Sequence, residues 1–443
     1  MKRILLWLFA ALSALGPGIV CSGQDETSLK FRPYGFIANY MVFDSREVDA
    51  GAQDMFFFMP QDVRMSGDVD ENAVPSFRML SLTSRLGLNV SGYRIGDLQV
   101  SGNIDGDFYC MSGSTATFRL RNAYMGLLWD NLVVGDLLLN VGQTWHPMAA
   151  DMPHGNNVEM GSPFNPFNWS PQVMFHWTVG KFTWSGGILY PMQFLPAGPN
   201  GKSAEYNRYG MIPEIYLGAS FKSGGFLGRA GVDFFSILPH WKGPVILEAS
   251  IKDGERKLKY DTDQTAVLTS RLFAVSPFVY LQYTAGKFQV KAKSVLAQAG
   301  EHMNLLSGYG PTFDWNSMRL TYTPMQDWVS FVSFQFGRKF QVLGMLGYME
   351  RLGTTKKLFG YNDSREYWTV NAFWLNTVAD TRIQKAFRAT PTIAWNLGNL
   401  TVSLEYNCTA GWFGEGTHNV GGLYETGHWV LNHRIEQMVK FNF

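Results

Sequence analysis

Apolar and polar residues alternate with a period of two along several segments of this chain. The pattern runs from Leu98 to Tyr109, returns from Phe288 to Lys293, and recurs from Leu400 to Asn407. A β-strand points successive side chains to opposite faces, whereas a helix repeats its apolar positions every three or four residues. The alternation therefore predicts strands that have one apolar face and one polar face.

The charged residues of these segments indicate what each face contacts. Lys291 and Lys293 are two positions apart, so a strand places both side chains on the same face. A lysine that faces lipid at the bilayer midplane of a membrane barrel costs about 2–4 kcal/mol. In a membrane the shared face is therefore the lumen, and the apolar residues of the same strand contact lipid.

The strand-like segments are joined alternately by very short turns and by long connections. Bacterial outer-membrane barrels have short periplasmic turns and long outer loops. This rhythm predicts an all-β fold, a transmembrane antiparallel up-and-down β-barrel with long extracellular loops. We assign the short turns to Gly96-Asp97, Gly180-Lys181, Lys222 to Gly225, Gly286-Lys287, Gly337 to Lys339 and Gly398-Asn399.

Counting the segments predicts about sixteen strands, an even number that places both termini in the periplasm. The strands are expected to begin near Tyr34, Phe77, Leu98, Thr117, Leu137, Val173, Phe182, Ile212, Phe226, Phe273, Phe288, Trp328, Phe340, Ile383, Leu400 and Trp429. The long outer loops are expected at residues 44–74, 110–116, 144–172, 191–209, 238–271, 299–326, 352–381 and 410–427.

The first residues predict a secretory signal peptide, residues 1–23, ahead of a barrel domain at 24–443. A positive start at Lys2 and Arg3 precedes an apolar run from Ile4 to Leu15, which Gly16-Pro17 ends. The run is shorter than the about 20 apolar residues that a membrane helix needs. A lipoprotein signal at Cys21 is the less favoured alternative, because the residues before this cysteine match such a signal poorly.

Composition and charge agree with a barrel of the Gram-negative outer membrane, in contact with outer-membrane lipids. Aromatic residues make up 15% of the chain, 46 residues are glycine, and the mean hydropathy is -0.09. Removing Lys2 and Arg3 with the signal peptide changes 37 basic residues to 35, against 36 acidic ones, so the net charge is near −1. This balance argues against nucleic acid as a partner.

The size of the barrel indicates the class of function. Sixteen to eighteen strands leave an aqueous channel, whereas about eight are filled by their own side chains. The sequence contains no Gly-x-Ser-x-Gly elbow, no His-Glu-x-x-His motif and no phosphate-binding glycine loop, so neither an enzyme activity nor a cofactor is predicted. The expected function is that of an outer-membrane porin, which lets small hydrophilic solutes diffuse passively.

Two clusters of residues resemble the R-x-R-x-A-Y and G-Q-T-W signature of DcaP-like outer-membrane channels. The first cluster is Phe118 to Tyr124, and the second is Gly142 to Trp145. The wider pattern, which includes His146 to Met152 and Glu301 to Leu305, resembles porin-like barrels of the Bacteroidetes. The resemblance implies a homotrimeric porin whose lumen arginines favour anionic solutes such as dicarboxylates.

The third long loop, predicted at 144–172, is the candidate constriction loop of the channel. Its run from Ser162 to Trp169 combines prolines, which fix φ, with aromatic residues, so a loop of defined shape is expected. Such a loop either folds into the channel and selects solutes by size and charge, or lies over the mouth. The histidines and carboxylates of this loop match no common metal spacing, so no metal is predicted. The candidate constriction residues are Trp145, His146, Asp151, His154 and Glu159.

The alternation also predicts which charged residues face the lumen. The basic set is Arg85, Arg119, Arg121, Arg229, Lys291, Lys293, Arg388, Arg434 and Lys440, and the acidic set is Asp105, Asp107, Glu214, Asp233, Glu405 and Glu436. The excess of basic residues predicts a mild preference for anions. Arg119 and Arg121 share a face, so both could reach one carboxylate-bearing solute through their planar forks. The alternative is that lumen arginines pair with acidic residues and brace the wall.

The last residues, Met438 to Phe443, form a strand-like run that ends in an aromatic residue. This ending resembles the C-terminal signal that the barrel-insertion machinery reads. The insertion machinery is therefore an expected partner, bound through Phe443.

A second interpretation from another functional class is a surface-exposed barrel with a blocked lumen, whose outer loops bind host or matrix molecules. The loop at 238–271 would then carry the function through Lys252, Arg256, Lys257 and Lys259. A third interpretation, a transporter of hydrophobic compounds, needs an apolar lumen and conflicts with the charged residues predicted there.

Overall fold

The structure is a computed structural model that describes residues 29–51, 55–112, 115–130, 132–156, 158–159, 161–198, 201–252, 255–359 and 382–443. The predicted signal peptide, residues 1–23, and residues 360–381 of the predicted seventh outer loop lie outside the described residues. Within the described ranges, no helix has the length and apolar character needed to cross a membrane.

Sixteen antiparallel strands close into a barrel, which confirms the predicted fold class. Consecutive strands pair with each other, and the last pairs with the first, with Asp44 opposite Arg434. In chain order the strands are β1 Lys30–Asp44, β2 in two parts (Ser76–Leu80 and Arg85–Ile95), β3 Leu98–Ser112, β4 Thr115–Trp129, β5 Asp136–Trp145, β6 Trp169–Val179, β7 Phe182–Leu189, β8 Glu214–Ser223, β9 Phe226–Ile237, β10 Leu272–Ala285, β11 Phe288–Gln298, β12 Arg319–Gly337, β13 Phe340–Thr354, β14 in two parts (Ile383–Ala389 and Thr392–Leu397), β15 Leu400–Glu415 and β16 Thr426–Asn442.

Smaller elements lie in the outer connections. Two strands, Lys242–Lys252 and Glu255–Val267, form a hairpin between β9 and β10. Helix α1, Glu205–Gly210, precedes β8, and a 3₁₀ turn, Gly300–Met303, follows β11. The remaining short strands pair as Val48–Ala50 with Phe58–Pro60, Met65–Ser66 with Val69–Asp70, Ala197–Gly198 with Gly201–Lys202, and Tyr309–Asp314 with the start of β12.

The short connections occur where the glycine-containing turns were predicted. Gly180 has φ 59° and Gly286 has φ 61°, which is the left-handed region that a side chain disfavours. Each glycine lets the chain reverse within two residues between paired strands. Tight turns of this kind set the register of the two strands that they join.

The outer ends of three hairpins differ from the prediction. The expected loop at 110–116 is shorter than predicted, because β3 extends to Ser112, which pairs with Thr115 at the start of β4. Strand β12 begins at Arg319 rather than near Trp328, since its first residues pair with Tyr309–Asp314 above the barrel. Strand β15 continues to Glu415, paired with β16, so the last outer loop is shorter than expected.

The two faces of the wall have opposite character, as the period-two pattern predicted. On β3, Ile104 is 51% exposed and the next residue, Asp105, is 4% exposed. On β15, Leu404 is 47% exposed and Glu405 is 1% exposed. Exposed apolar side chains on the outside and polar side chains inside are the arrangement of a lipid-facing barrel.

The terminal residue completes the closure of the barrel. The backbone N–H of Phe443 donates to Gly35 O at 3.1 Å, and the N–H of Gly35 donates to Phe443 O at 3.0 Å. A Cβ at position 35 would lie 2.4 Å from Arg85 O and 2.8 Å from the Phe443 ring, so only glycine fits between these two neighbours. The opening strand is therefore shaped to receive the aromatic terminus.

The largest cluster of buried apolar side chains lies inside the barrel rather than between layers of secondary structure. It combines inward side chains of the wall with residues of three outer loops, which we name loop 1 (45–75), loop 3 (146–168) and loop 6 (299–318). The loop members are Phe57, Met59, Met148, Phe164, Met303, Leu305 and Leu306.

Candidate functional site in the lumen

Loop 3 leaves the wall between β5 and β6 and crosses the lumen. Its base is closed by a backbone hydrogen bond from His146 to Asn168 O at 3.0 Å. Further along, the N–H of His154 donates to Ser333 Oγ on β12 at 3.2 Å, and that of Asn156 donates to Glu405 Oε2 on β15 at 2.7 Å. Strand β15 is six strands from β5 by the shorter way around the sixteen-strand ring, so loop 3 reaches across the barrel to a distant part of the wall.

Loops 1 and 6 meet loop 3 inside the barrel. The N–H of Phe167 donates to Met303 O at 2.8 Å, and the N–H of Phe56 donates to Val158 O at 3.0 Å. Asn304 Nδ2 donates to Phe56 O at 2.6 Å, which links loop 6 directly to loop 1. The rings of Phe56 and Phe167 stack with centroids 5.4 Å apart. Backbone bonds and apolar packing therefore join the three loops into one body.

Arg119 and Arg121, the arginines of the DcaP-like signature, contact an aspartate of the neighbouring strand. Arg119 Nε donates to Asp107 Oδ1 at 2.8 Å, and Arg121 Nε lies 3.2 Å from Asp107 Oδ2. Arg121 Nη1 is also 3.7 Å from Asp105 Oδ1. These contacts join adjacent strands, as expected if the two arginines brace the wall.

Aromatic rings cover the same two arginines. The Arg119 guanidinium lies 4.5 Å from the centroid of the Trp169 ring, and that of Arg121 lies 4.7 Å from Trp169 and 5.5 Å from Trp145. Gln143 donates to the backbone carbonyl of Arg121 at 3.0 Å. The two halves of the signature thus form one contact cluster at the root of loop 3.

Loop 3 is fastened to the far wall by a group that we name the arginine cluster: Arg388, Arg434, Glu159, Glu405 and Glu436, all buried. Arg388 Nη1 lies 3.2 Å from Glu159 Oε1 and donates to Ser162 O at 2.8 Å. Arg434 forms a bidentate pair with Asp44, at 2.7 and 2.9 Å, and its Nη1 lies 3.5 Å from Glu436 Oε1. Carboxylate oxygens of the three glutamates lie within 4.8 Å of one another.

The Phe58 ring of loop 1 separates the two guanidinium groups of this cluster. Its centroid is 4.1 Å from Arg388 and 3.7 Å from Arg434. Arg388 also donates to Phe58 O at 2.7 Å. The arginine cluster therefore holds loop 1 as well as loop 3.

A second buried group, which we name the histidine cluster, fastens the start of loop 3 to β8 and β9. It consists of His146, His302, Glu214 and Asp233. His146 Nε2 lies 2.8 Å from Glu214 Oε1 and 3.7 Å from Asp233 Oδ1, and His302 Nε2 lies 3.3 Å from the same Glu214 oxygen. The prediction named His146 as a loop residue and the two acids as lumen residues, but no spacing in the chain joins them to His302.

Five of the nine basic residues predicted to face the lumen remain partly exposed: Arg85, Arg119, Arg229, Lys291 and Lys440. Arg229 pairs with Asp151 of loop 3 at 3.0 Å, and Lys291 Nζ donates to Met152 O at 3.0 Å. Arg85 and Lys440 lie against the Phe36 ring, at 4.9 and 4.1 Å from its centroid. All six acidic residues that were predicted to face the lumen are buried, so the charge that meets water inside the barrel is basic.

Lys293 and His154 complete the set of predicted residues. Lys293 is buried and donates to Asn165 Oδ1 at 2.9 Å and to the Met148 carbonyl. Burial, together with the nearby Lys291 ammonium, lowers the pKa of His154 to about 4. His154 is therefore neutral at pH 7, and loop 3 presents no positive charge at that position.

The same fold occurs in outer-membrane proteins of known structure. The chain is similar to the outer-membrane channel DcaP of Acinetobacter baumannii, with a TM-score of 0.62 at 14% identity, over 96% of this chain and 100% of that one. The TM-score with OmpT, an outer membrane protein of Vibrio cholerae, is 0.50 at 12% identity, over 96% of this chain and 100% of that one. With an anion-selective porin from Comamonas acidovorans the TM-score is 0.50 at 10% identity, over 94% of this chain and 100% of that one.

Comparison by sequence adds nothing to these likenesses: no protein-family profile and no curated protein matches the chain. The identities are low, so the likeness establishes the fold. The closed barrel resembles outer-membrane porins of Gram-negative bacteria.

Proposed function

We propose that this protein is a porin through which small hydrophilic, anionic solutes diffuse across the outer membrane, and that it acts as a homotrimer inserted through its C-terminal Phe443. The single observation that carries the anion preference is the distribution of charge inside the barrel. The lumen acids are buried, whereas Arg85, Arg229, Lys291 and Lys440 reach water.

The position of these basic residues supports a role in solute entry. Arg229 and Lys291 each lie three residues from the periplasmic start of their strands, and Lys440 lies two residues before the end of β16. These three residues therefore line the periplasmic part of the lumen, and two of them are contacted there by loop 3. A ring of like charge in a pore raises the local concentration of counter-ions and sets ion preference.

Loop 3 is the constriction in this proposal. Asp151 and Met152 of the loop contact Arg229 and Lys291 of the wall. A solute passing loop 3 must move between these groups or displace the loop from them. Anions compete with Asp151 for Arg229, which couples solute charge to the width of the passage.

The second candidate function, a surface barrel that binds molecules through its outer loops, is favoured by one observation. Loops 1, 3 and 6 are hydrogen-bonded to each other across the lumen. A lumen that stays filled would conduct nothing, and the hairpin of Lys242–Lys252 and Glu255–Val267 would then be the exposed binding element.

Conductance in planar bilayers separates the two candidates. The porin proposal predicts stepwise conductance and a reversal potential in a KCl gradient that indicates preference for chloride. Lys291→Gln is expected to reduce that preference, because it removes a charge from the lumen. Lys259→Gln in the outer hairpin, where Lys259 pairs with Glu248 at 2.9 Å, is the matched control and should leave the preference unchanged. A folded, heat-modifiable barrel that never conducts would reject the porin and leave the binding role.

A further inference from the structure

A cavity of about 380 Å³ lies at the outer end of the barrel, away from the arginine and histidine clusters. One side of this outer cavity is formed by the base of the hairpin of Lys242–Lys252 and Glu255–Val267, and the other side by Ser317 to Tyr322, where β12 begins. Ligand pockets in proteins have volumes of about 300–1,000 Å³. The outer cavity is therefore large enough for a small organic molecule.

Both sides of the outer cavity are anchored to the rest of the protein. The hairpin base is closed by a backbone hydrogen bond from Leu268 to Trp241 O at 3.1 Å, and the Trp241 ring stacks on Tyr209 of α1 with centroids 4.4 Å apart. On the other side, the buried Tyr322 ring packs edge-on against Tyr309 with centroids 6.0 Å apart. A cavity that is already formed lowers the ordering cost of binding a ligand.

The hairpin curves around the outer cavity because one of its strands contains extra residues. Pro244 pairs with Thr265, whereas the next residue, Val245, pairs with Asp261. Extra residues in one strand of a pair form a bulge, which bends that strand. Residues on both sides of the bulge, such as Val245 and Ala266, line the same cavity.

The lining of the outer cavity combines apolar walls with two basic side chains. Most of the lining side chains are aliphatic or aromatic, and Tyr260 and Tyr322 are among them. Lys242 and Arg319 also line the cavity, and no aspartate or glutamate is among its described lining residues. Both basic side chains are exposed, and neither forms an ion pair with another described residue. Burial lowers the pKa of His240, also in the lining, so this histidine is neutral at pH 7.

We propose that the outer cavity binds a dissolved organic anion that has an aromatic or short aliphatic body and a carboxylate, sulfonate or phosphate group paired with Lys242 and Arg319. The apolar walls remove the body of the ligand from water, which is favourable. A guanidinium and an ammonium form charge-assisted hydrogen bonds with such oxyanions. A neutral apolar molecule leaves both basic groups unpaired, and a small inorganic anion leaves the apolar walls uncovered. The two parts of the lining therefore specify one class of ligand.

The outer cavity is separate from the solute path of the porin proposal. Arg229 and Lys291 lie near the periplasmic starts of their strands, whereas the cavity lies beside an outer connection. The ligand therefore reaches the cavity from outside the cell without passing loop 3. This gives the outer hairpin a small-molecule role, which is distinct from the binding of host or matrix molecules.

Binding of anilinonaphthalene sulfonate, a fluorescent aromatic anion, tests the proposal. The chain is reconstituted into nanodiscs of zwitterionic phospholipid, so that no detergent occupies the cavity, and the fluorescence is compared with that of empty nanodiscs. We expect saturable binding of one probe molecule per chain. Naphthalene sulfonate should displace the probe. Naphthol, which is neutral at pH 7, and inorganic sulfate, which has no apolar body, should displace it far less.

Variants separate the two parts of the lining. Lys242→Gln and Arg319→Gln should each weaken probe binding about threefold, as expected for the loss of one exposed ion pair. Ala266→Trp fills the cavity and should abolish binding while both basic groups remain. Lys259→Gln is the matched control, because Lys259 belongs to the same hairpin but pairs with Glu248 at 2.9 Å and is not a lining residue. This control should bind the probe as the wild type does.

Folding is verified for each chain by heat-modifiable mobility. Fluorescence equal to that of empty nanodiscs would overturn the proposal, and so would displacement by naphthol as effective as that by naphthalene sulfonate. Lys242→Gln and Arg319→Gln variants that bind the probe as tightly as the control would also overturn it. Probe binding is measured without conductance, so this proposal and the porin proposal fail independently.

Discussion

Loop 3 is held on opposite sides of the lumen by two buried carboxylate clusters that neutralise their charge in different ways. On the side of β14, β15 and β16, guanidinium groups face the three glutamates of the arginine cluster. On the side of β8 and β9, imidazole rings face Glu214 and Asp233 in the histidine cluster. Both clusters are buried, and both contain carboxylate oxygens without a hydrogen-bond partner among the described residues.

The difference lies in what each cluster needs in order to stay neutral. A guanidinium keeps its charge at every accessible pH and brings several donors in a fixed plane. An imidazole becomes cationic only by taking up a proton. The arginine cluster therefore carries permanent positive charge, whereas the histidine cluster gains positive charge only by taking up protons.

The largest effect on the free energy of unfolding is expected from removing a guanidinium group of the arginine cluster. Arg388→Met leaves the glutamates of the arginine cluster without one guanidinium and removes the donors to Ser162 and Phe58. Breaking a buried ion pair by removing one partner costs about 3–5 kcal/mol. The free energy of unfolding, measured by tryptophan fluorescence in guanidinium chloride, should fall by about that amount. Arg338→Ala, at an exposed periplasmic turn, is the control and should change it by less than about 0.5 kcal/mol.

A glutamate-to-glutamine substitution in each cluster is expected to have the next largest effect on the free energy of unfolding. Glu214→Gln leaves an amide oxygen that can still accept, but it removes the negative charge that both histidines face. Two buried hydrogen bonds then lose their charged acceptor, which costs about 1–3 kcal/mol. Glu405→Gln removes a surplus negative charge, and its amide oxygen can still accept from Asn156 and Thr392, so a change below about 1 kcal/mol is expected. Equal losses for the two variants would contradict the difference between the clusters.

The smallest effect concerns His154, which lies on loop 3 between the two clusters. Its pKa in the folded protein is about 4, below the ordinary value of 6.5, owing to burial and to Lys291. As the pH falls, His154 is protonated in the unfolded chain at a higher pH than in the folded protein. The folded state therefore has its full stability above pH 6.5 and loses part of it as the pH falls towards 4. Between pH 6.5 and 4, the guanidinium chloride concentration at the midpoint of unfolding should fall less steeply for His154→Gln than for the wild type. If the two plots of midpoint against pH are parallel, His154 has no role in the pH dependence of stability.

Much of the barrel followed from local pattern. The alternation of Ile104 with Asp105 and of Leu404 with Glu405 predicted the lipid and lumen faces, and glycine turns such as Gly180 predicted the hairpins. Both features depend on neighbouring residues and on backbone geometry alone. The sequence did not predict the outer extensions of β3 and β12. The period-two alternation does not continue into these residues, and their strand structure depends on pairing with a neighbouring strand.

The sequence predicted which charged residues face the lumen, but not which of them contact each other. Arg119 and Arg121 were predicted to face inward together, but Asp107 could be recognised as their partner only from the register of β3 against β4. Likewise the backbone carbonyls of His302 and Asn304, far along the chain, accept hydrogen bonds from Asn168 and Ser162 of loop 3. No local signal marks such contacts, since they form between segments separated by more than a hundred residues.

By itself the sequence determined an all-β wall with an apolar exterior and a charged interior, since a period of two leaves a strand no other way to separate lipid from water. Only the tertiary structure decided that loops 1, 3 and 6 fill the interior and that two charge clusters fasten loop 3. Those contacts depend on which strands face each other across the closed ring, and ring closure is a property of all sixteen strands at once.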